Sequence, residues 1–454
     1  MKGVFAGVLM LLTTATSCLA GEGGLRFYRF DEDWSFLATK GELTGYERLK
    51  YIPIGSKTPA YYLTVGGQFR TQFNAFNNDG FGLLGEDDGT LWLNRFTVHF
   101  DLHFADYARV FVELGTHQAD ASGDLEPGPF DRNSANLQQA FIDLTYGGLT
   151  ARLGRFESPF GSARLVSVRD GPNVRRAFDG AKLSTEVKTV TVDAFYLQEV
   201  RVDDSAFDDD SNDGEELWGL YTSWTNVFGL TDLESYYFGS NRAVEQYVQG
   251  AARDKRHSVG VRASGTHRNW DWNHEAVYQF GSFGSQDVSA WTVATSTGYR
   301  FRSLPMRPRV YLGAAIATGD DDPTDNKVTT FNPLFPNLFY FEEAAILSPQ
   351  NFINVQPGVT LHPGEGISLS FDWNFFWRES SGDGVYTGGL FPLPGTAASS
   401  DRFVTHSPQL QFDWELNKHV EFDLRYNHFF AGETVETAGG RSVDFFMAEV
   451  LIRF

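Results

Sequence analysis

Residues 367–377 read ISLSFDWNFFW, and this stretch decides the fold. Its odd positions are all aliphatic or aromatic, and most of its even positions are polar: Ser368, Ser370, Asp372 and Asn374. Successive side chains of a β-strand point to opposite faces, so a strand here has one apolar face and one polar face. A helix would distribute the same residues around its axis. The stretch therefore predicts a strand that separates an apolar environment from a wet one.

The same alternation recurs along the chain, for example over 62–76, 91–104 and 419–430. Counting such segments predicts an all-β fold of about 18 strands. The connections alternate between tight and long, which is typical of a transmembrane antiparallel β-barrel with short periplasmic turns and long extracellular loops. Long loops are expected near 77–90, 118–135, 157–179, 200–215, 241–255, 282–288, 319–353, 379–404 and 431–441. The main alternative, a soluble β-sandwich, would not be expected to sort its loops by length in this way.

The first 20 residues resemble a secretory signal, with Lys2, an apolar run and small residues before a cut after Ala20. A lipoprotein-type cut before Cys18 is the alternative. No later stretch has the roughly 18 consecutive apolar residues of a membrane-spanning helix, so membrane insertion would use strands. We therefore expect a signal peptide over 1–20, a periplasmic N-terminal segment over 21–60 and an outer-membrane barrel over 61–454.

The composition narrows the classes of function. A formal net charge of -21 argues against a nucleic-acid partner, because phosphate binding needs a basic surface. There is no nucleophile elbow, no His-Glu-x-x-His and no P-loop, so an enzyme is not expected, and neither is a cofactor. Asp208, Asp210 and Asn212 have the spacing of a calcium loop, but Gly214 comes one position late, so a solvated acidic loop is expected rather than a metal site.

Two segments resemble the alginate export family of outer-membrane proteins. The first runs from Gly154 to Ala181 and contains GRFESPFG and RDGPNVRR; the second runs from Gly319 to Tyr340 and contains GDDD and TFNPLFP. The N-terminal YRFDED and LKYIPIG are similar too. The resemblance implies a monomeric 18-stranded barrel whose arginine-lined constriction conducts an anionic uronate polysaccharide outward. Phe156 departs from the polar residue, usually Gln, that is expected after Gly-Arg in this family.

The segment 152–182 is basic within an acidic protein, and it surrounds the third long connection, where a loop that folds inward would narrow the lumen. The planar guanidinium group binds carboxylates in a bidentate manner and stays charged at physiological pH. The predicted substrate-binding residues are Arg152, Arg155, Arg164, Arg169, Arg175, Arg176 and Lys182. The alternative is that these cations pair with lumen carboxylates and brace the barrel, or meet lipopolysaccharide phosphates outside.

Further inward-facing cations are Arg70, Arg95, Arg109 and Arg425, and each is more readily explained as structural; the carboxylates available to pair with them are Asp101, Glu113, Asp143, Asp372, Asp413 and Asp423. The tryptophans of the apolar faces are expected in girdles at the lipid interface rather than in a sugar-binding stack. The aromatic and proline-rich stretch 331–341 is expected to form a lid, a plug or an ordered surface cap.

The sequence leaves three functions open for a protein of the bacterial outer membrane. The first is passive export of an anionic, alginate-like polysaccharide that periplasmic machinery supplies. The second is a general or nutrient porin for small anionic or sugar-like solutes. The third is a surface-binding or structural barrel whose loops matter more than its lumen. All three require contact with membrane lipid and lipopolysaccharide.

Overall fold

The computed structural model describes residues 24–55, 60–85 and 88–454, so the predicted signal and Cys18 lie outside the described residues. Eighteen antiparallel strands form one closed barrel, which confirms the predicted fold class and strand number. The strands are β1 Tyr61–Asn77, β2 Asp88–Phe104, β3 Ala108–Gly123, β4 Asn133–Tyr146, β5 Leu149–Phe156, β6 Phe178–Val187, β7 Val190–Arg201, β8 Asp210–Val227, β9 Thr231–Tyr247, β10 Gly250–His267, β11 Trp270–Phe283, β12 Gln286–Arg300, β13 Arg309–Ala317, β14 Phe352–Gly364, β15 Ile367–Trp377, β16 Phe403–Asn417, β17 Val420–Ala431 and β18 Val443–Arg453.

Closure of the barrel leaves no free sheet edge. β18 pairs with β1 in an antiparallel register that runs from Gln68 opposite Arg453 to Asn77 opposite Asp444. A closed sheet satisfies every backbone donor and acceptor between strands, as the hydrocarbon core of a membrane requires. Two further strands of two residues each, Ile52–Pro53 and Lys327–Val328, pair with β1 and β12.

The outer surface of the barrel is apolar, as the alternation predicts. Large exposed side chains cover it, including Phe371, Trp373, Leu410 and Trp414, whereas Asp372 on the other face of β15 is buried. Aromatic side chains such as Trp373 and Trp414 suit the boundary between lipid and water. Among the described residues, no helix is long and apolar enough to cross a membrane.

The loops at the end of the barrel opposite the chain termini are L1 78–87, L2 124–132, L3 157–177, L4 202–209, L5 248–249, L6 284–285, L7 318–351, L8 378–402 and L9 432–442. The predicted long loops at 241–255 and 282–288 are wrong, because L5 and L6 are two-residue turns. Strands β9 to β12 continue their pairing through both regions. The pairing continues because polar side chains on the inner face of these strands, such as Arg256 and Asp254, are buried against L7. Arg256 forms hydrogen bonds there with Asp254 and with the backbone of L7.

Three segments outside the eighteen barrel strands pack inside the barrel. L3 and L7 contact each other through an isolated parallel bridge between Val166 and Phe335, both of which are buried. The N-terminal segment contributes Phe30, whose ring packs edge-on against Phe111 and Phe141 on the inner face of the barrel. L3, L7 and the N-terminal segment therefore narrow the lumen.

Candidate functional site

A row of charged side chains crosses four neighbouring strands on the inner face of the barrel. Arg109 on β3 lies opposite Asp143 on β4, which lies opposite Arg152 on β5, which in turn lies opposite Lys182 on β6. Residues that are directly opposite on neighbouring strands have side chains close enough to interact. We call Arg109, Asp143, Arg152 and Lys182 the basic row.

Within the basic row the two arginines are held by carboxylates, and the lysine is not. The Nε of Arg152 donates to Asp143 at 2.8 Å, and the Nε of Arg109 donates to Asp101 at 2.7 Å. Both are bidentate contacts, because an Nη2 donates to the second carboxylate oxygen in each case. Among the residues that the structure describes, the Lys182 ammonium has no hydrogen bond or ion pair within the usual distances. Lys182 is therefore the cation of the row that is open to a ligand.

L3 presents a second group of cations, and each contacts a carboxylate and an aromatic ring. Arg175 lies 2.5 Å from Asp170, and its guanidinium lies 4.4 Å from the centre of the Phe27 ring. Arg176 donates to Glu199 at 2.6 Å, and Arg169 is 3.6 Å from the same carboxylate. The contacts with Glu199 brace L3 against β7, whereas Arg175 stabilises L3 itself and contacts the N-terminal segment.

The other two predicted cations lie apart from these groups. Arg164 lies 3.2 Å from Glu275 on β11 and stacks 4.2 Å from the centre of the Tyr340 ring, so it joins L3 to L7. Arg155 occupies the outward phase of β5, between the exposed Leu153 and the buried Phe156. There it pairs with Asp179 at 2.8 Å. The structure therefore does not bring Arg155 together with the lumen cations.

The inward arginines of the first strands hold L3 rather than facing open lumen. Arg70 donates to the carbonyl oxygen of Asp170 at 2.6 Å and to that of Gly171 at 3.1 Å. Arg95 donates to the Asp170 carboxylate at 2.7 Å and to the Asn173 carbonyl oxygen at 2.7 Å. Both arginines are almost fully buried, so their role is to fix L3 inside the barrel.

Several partners of these cations were not predicted from the sequence. Arg425 pairs with Asp413, which is one of the predicted inward carboxylates, but it also lies 3.5 Å from Glu343 of L7. Glu199 and Glu275 lie on strands for which the sequence analysis does not predict which residues face the lumen. The N-terminal Phe30 contacts Arg109 and Arg152 of the basic row. The only signal for Phe30 in the sequence is that it belongs to the YRFDED segment of the family resemblance.

A buried carboxyl group makes the attachment of L3 sensitive to pH. Burial raises the pKa of Glu157 to about 7, although the nearby Arg175 lowers it. The pKa of such a group is higher in the folded protein than in the unfolded protein. Its contribution to stability is complete below the pKa of the unfolded state, and it is lost as the pH rises through the pKa of the folded state. We therefore expect L3 to become more susceptible to limited proteolysis as the pH rises from about 4.5 to about 7. Glu157→Gln should abolish that change, and an unchanged pH profile in this variant would contradict the assignment.

An antiparallel barrel of 18 strands, closed on itself, apolar outside and narrowed by inward loops, defines an outer-membrane channel of the porin class. The family model of alginate export matches residues 61–449, so the chain belongs to the alginate export family of the bacterial outer membrane. Comparison with curated protein sequences gives no significant match.

Solved porin structures share the fold at low sequence identity. A BenF-like porin from Pseudomonas fluorescens Pf-5 is 11% identical with a TM-score of 0.59, and 86% of this chain covers 99% of that one. OccD3 (OpdP) of Pseudomonas aeruginosa is 13% identical with a TM-score of 0.59, over 90% of this chain and 93% of that one. OccK2 (OpdF) of the same organism, solved in complex with glucuronate, is 12% identical with a TM-score of 0.56, over 86% and 98%.

Proposed function

We propose that this channel passes an anionic uronate polysaccharide, alginate-like in its chemistry, through the constriction formed by the basic row and L3. The observation that carries the proposal is Lys182, a lumen cation beside Arg152 whose ammonium has no ion pair in the described part of the chain. A buried or half-buried cation without a partner is costly, and an anionic ligand offsets that cost. The transport is passive, and no catalytic step is proposed.

The chemistry of a polyuronate fits such a row. Each sugar carries one carboxylate, which the Lys182 ammonium and the Arg152 guanidinium bind as charge-assisted hydrogen-bond donors. The contacts of Arg152 with Asp143 keep part of its charge neutralised, so the binding of any one carboxylate stays weak. Weak binding at successive sites is what conduction requires, because a tightly held polymer would not leave. OccK2, which shares the fold, was solved in complex with glucuronate, a single uronate.

The second candidate function is uptake or release of small anionic or sugar-like solutes. The observation that favours it is the packing of L3 against L7, because the bridge between Val166 and Phe335 joins the two loops inside the barrel. A small solute passes beside such a bridge, whereas a polymer chain needs more room. Both candidates use the same basic row, so a small anionic solute differs from the polymer in size and not in the sign of its charge.

Block of single-channel current by an oligouronate in a planar bilayer tests the proposal. Lys182→Gln and Arg152→Gln are each expected to raise the concentration for half block by about tenfold, the effect of losing one charge-assisted hydrogen bond of about 1.4 kcal/mol. Arg155→Gln is the matched control, since Arg155 points outward and pairs with Asp179. Equal block in all three variants and the native protein, or no block in any, would overturn the polyuronate proposal.

A further inference from the structure

The N-terminal segment is fixed inside the periplasmic end of the barrel by buried charges. The Nη1 of Arg29 donates to the Gly67 carbonyl oxygen of β1 at 2.8 Å, and its Nε donates to Glu32 at 2.6 Å. The ammonium of Lys50 lies 3.8 Å from the same carboxylate. Arg29, Glu32 and Lys50 are all nearly inaccessible to solvent. Groups buried and paired in this way define one position for the segment.

Phe30 extends from this anchor to the basic row. Its carbonyl oxygen accepts a hydrogen bond from the Nη2 of Arg109 at 2.7 Å. The guanidinium of Arg152 lies 5.2 Å from the centre of its ring, within the range of a cation–π contact. The segment therefore touches two of the three cations of the row through one residue.

Asp31 follows directly and brings a carboxylate to the same place. It ends the short 3-10 turn Arg29–Asp31, in which its backbone N–H donates to the Tyr28 carbonyl oxygen at 2.9 Å. Its side chain is accessible inside the barrel, and the cations Arg152, Lys182 and Arg109 favour its charged form against the opposing effect of its partial enclosure. Among the described residues, no cation lies within ion-pair distance of the Asp31 carboxylate. The contacts of the preceding residue, Phe30, with Arg109 and Arg152 thus place Asp31 next to the basic row without a direct ion pair.

We propose that Asp31 is an internal competitor for the basic row: its carboxylate partly neutralises Lys182 and Arg152, and a passing carboxylate must compete with it. This inference deepens the proposed function and depends on it for the identity of the cargo. It assigns a specificity-determining role to a residue of the N-terminal segment rather than of the barrel. The segment thereby sets how long an anion stays at the row.

The position of Asp31 explains how the lumen can attract an anion and also release it. Without it, the free ammonium of Lys182 and the partly free guanidinium of Arg152 would hold an anion more tightly. A negative charge near the basic row reduces the attraction between the row and an anion, and it does so without occupying the binding site. Because the segment is fixed by Arg29 and Glu32, the competing charge stays in place while cargo passes.

The experiment compares Asp31→Asn with Asp33→Asn in the full-length protein in planar bilayers. Asp33 lies in the same segment, is exposed and bonds only the N–H of Ser35 at 2.9 Å among the contacts described for it, so its replacement removes the same charge from a different place. Two quantities are measured: the zero-current potential in a potassium chloride gradient and the concentration of oligouronate for half block.

Asp31→Asn is expected to shift the zero-current potential toward anion selectivity and to lower the half-block concentration by about threefold or more. Asp33→Asn should change neither quantity by as much. Equal effects of the two substitutions would overturn the inference. If the native channel shows no oligouronate block but Asp31→Asn alone shifts the potential, the polymer proposal fails and the competition inference stands.

Discussion

The double variant Val166→Cys with Phe335→Cys is expected to lose polymer passage when it is oxidised and to regain it when it is reduced. The expected loss is nearly complete, because a disulfide between these positions would keep L3 and L7 joined inside the barrel. Passage is measured as oligouronate-induced blocking events in a planar bilayer, before and after a reductant is added to the same channel. The chloride current is recorded in parallel.

The geometry of the bridge supports this cross-link. The N–H of Phe335 donates to the Leu165 carbonyl oxygen at 2.8 Å, and the N–H of Ser167 donates to the Phe335 carbonyl oxygen at 2.9 Å. Val166 and Phe335 are therefore partners in a parallel bridge, with Cα atoms within the roughly 4.4–6.8 Å that a disulfide spans. The single cysteine of the sequence, Cys18, lies in the predicted signal, so no other thiol is expected to compete.

The two single-cysteine variants are the controls for this experiment. Phe335→Cys alone removes a ring that packs edge-on against Phe178 at 5.4 Å, and it shows how much of any change comes from that lost packing. Retained polymer passage in a fully cross-linked sample, with the cross-link verified by mass spectrometry, would show that L3 and L7 need not separate. A chloride current that persists while polymer passage is lost would support the polysaccharide as the larger of the two candidate cargoes.

The barrel could be predicted from the sequence because lipid imposes a simple rule on it. Every strand that crosses the membrane must show apolar side chains to lipid, and 367–377 shows that rule directly. The rule no longer applies above the membrane. Strands β9 to β12 extend past that level, where the buried Glu245 and Asp254 alternate with exposed residues, so the polar composition there predicts loops instead of strands.

The candidate site was predicted only in part, because its contacts connect segments that are distant in sequence. Periodicity places Arg152 and Lys182 on the inner face, and the structure puts them opposite each other. No local pattern brings Asp31 near them, since its position depends on the N-terminal segment packing inside the barrel. Arg155 shows the converse error: it is close in sequence to the other cations, but the alternation of β5 turns it outward.

The attachment of L3 can be tested at Asp170, where three buried arginines converge. Burial opposes the charged form of this carboxyl group, but Arg175, Arg95 and Arg70 outweigh that effect and hold its pKa well below the usual range. A carboxyl group whose pKa is lower in the folded protein than in the unfolded protein stabilises the fold at every pH above the pKa of the unfolded state. The ion pairs of Asp170 are therefore fully formed at neutral pH. Asp170→Asn leaves Arg95 and Arg175 buried without this counter-charge.

Breaking a buried ion pair from one side costs about 3 kcal/mol, the lower end of the usual range, because the Asp170 side chain is 30% exposed. Asp170→Asn should therefore open L3 roughly a hundredfold more often. Faster hydrogen exchange over 157–177 would record that opening. Asp203→Asn is the matched control, because it breaks the exposed ion pair with Arg201 and should change exchange in L3 very little. Unaltered exchange in Asp170→Asn would mean that Arg70 and Arg95 hold L3 through its backbone carbonyl oxygens alone, since those hydrogen bonds survive the substitution.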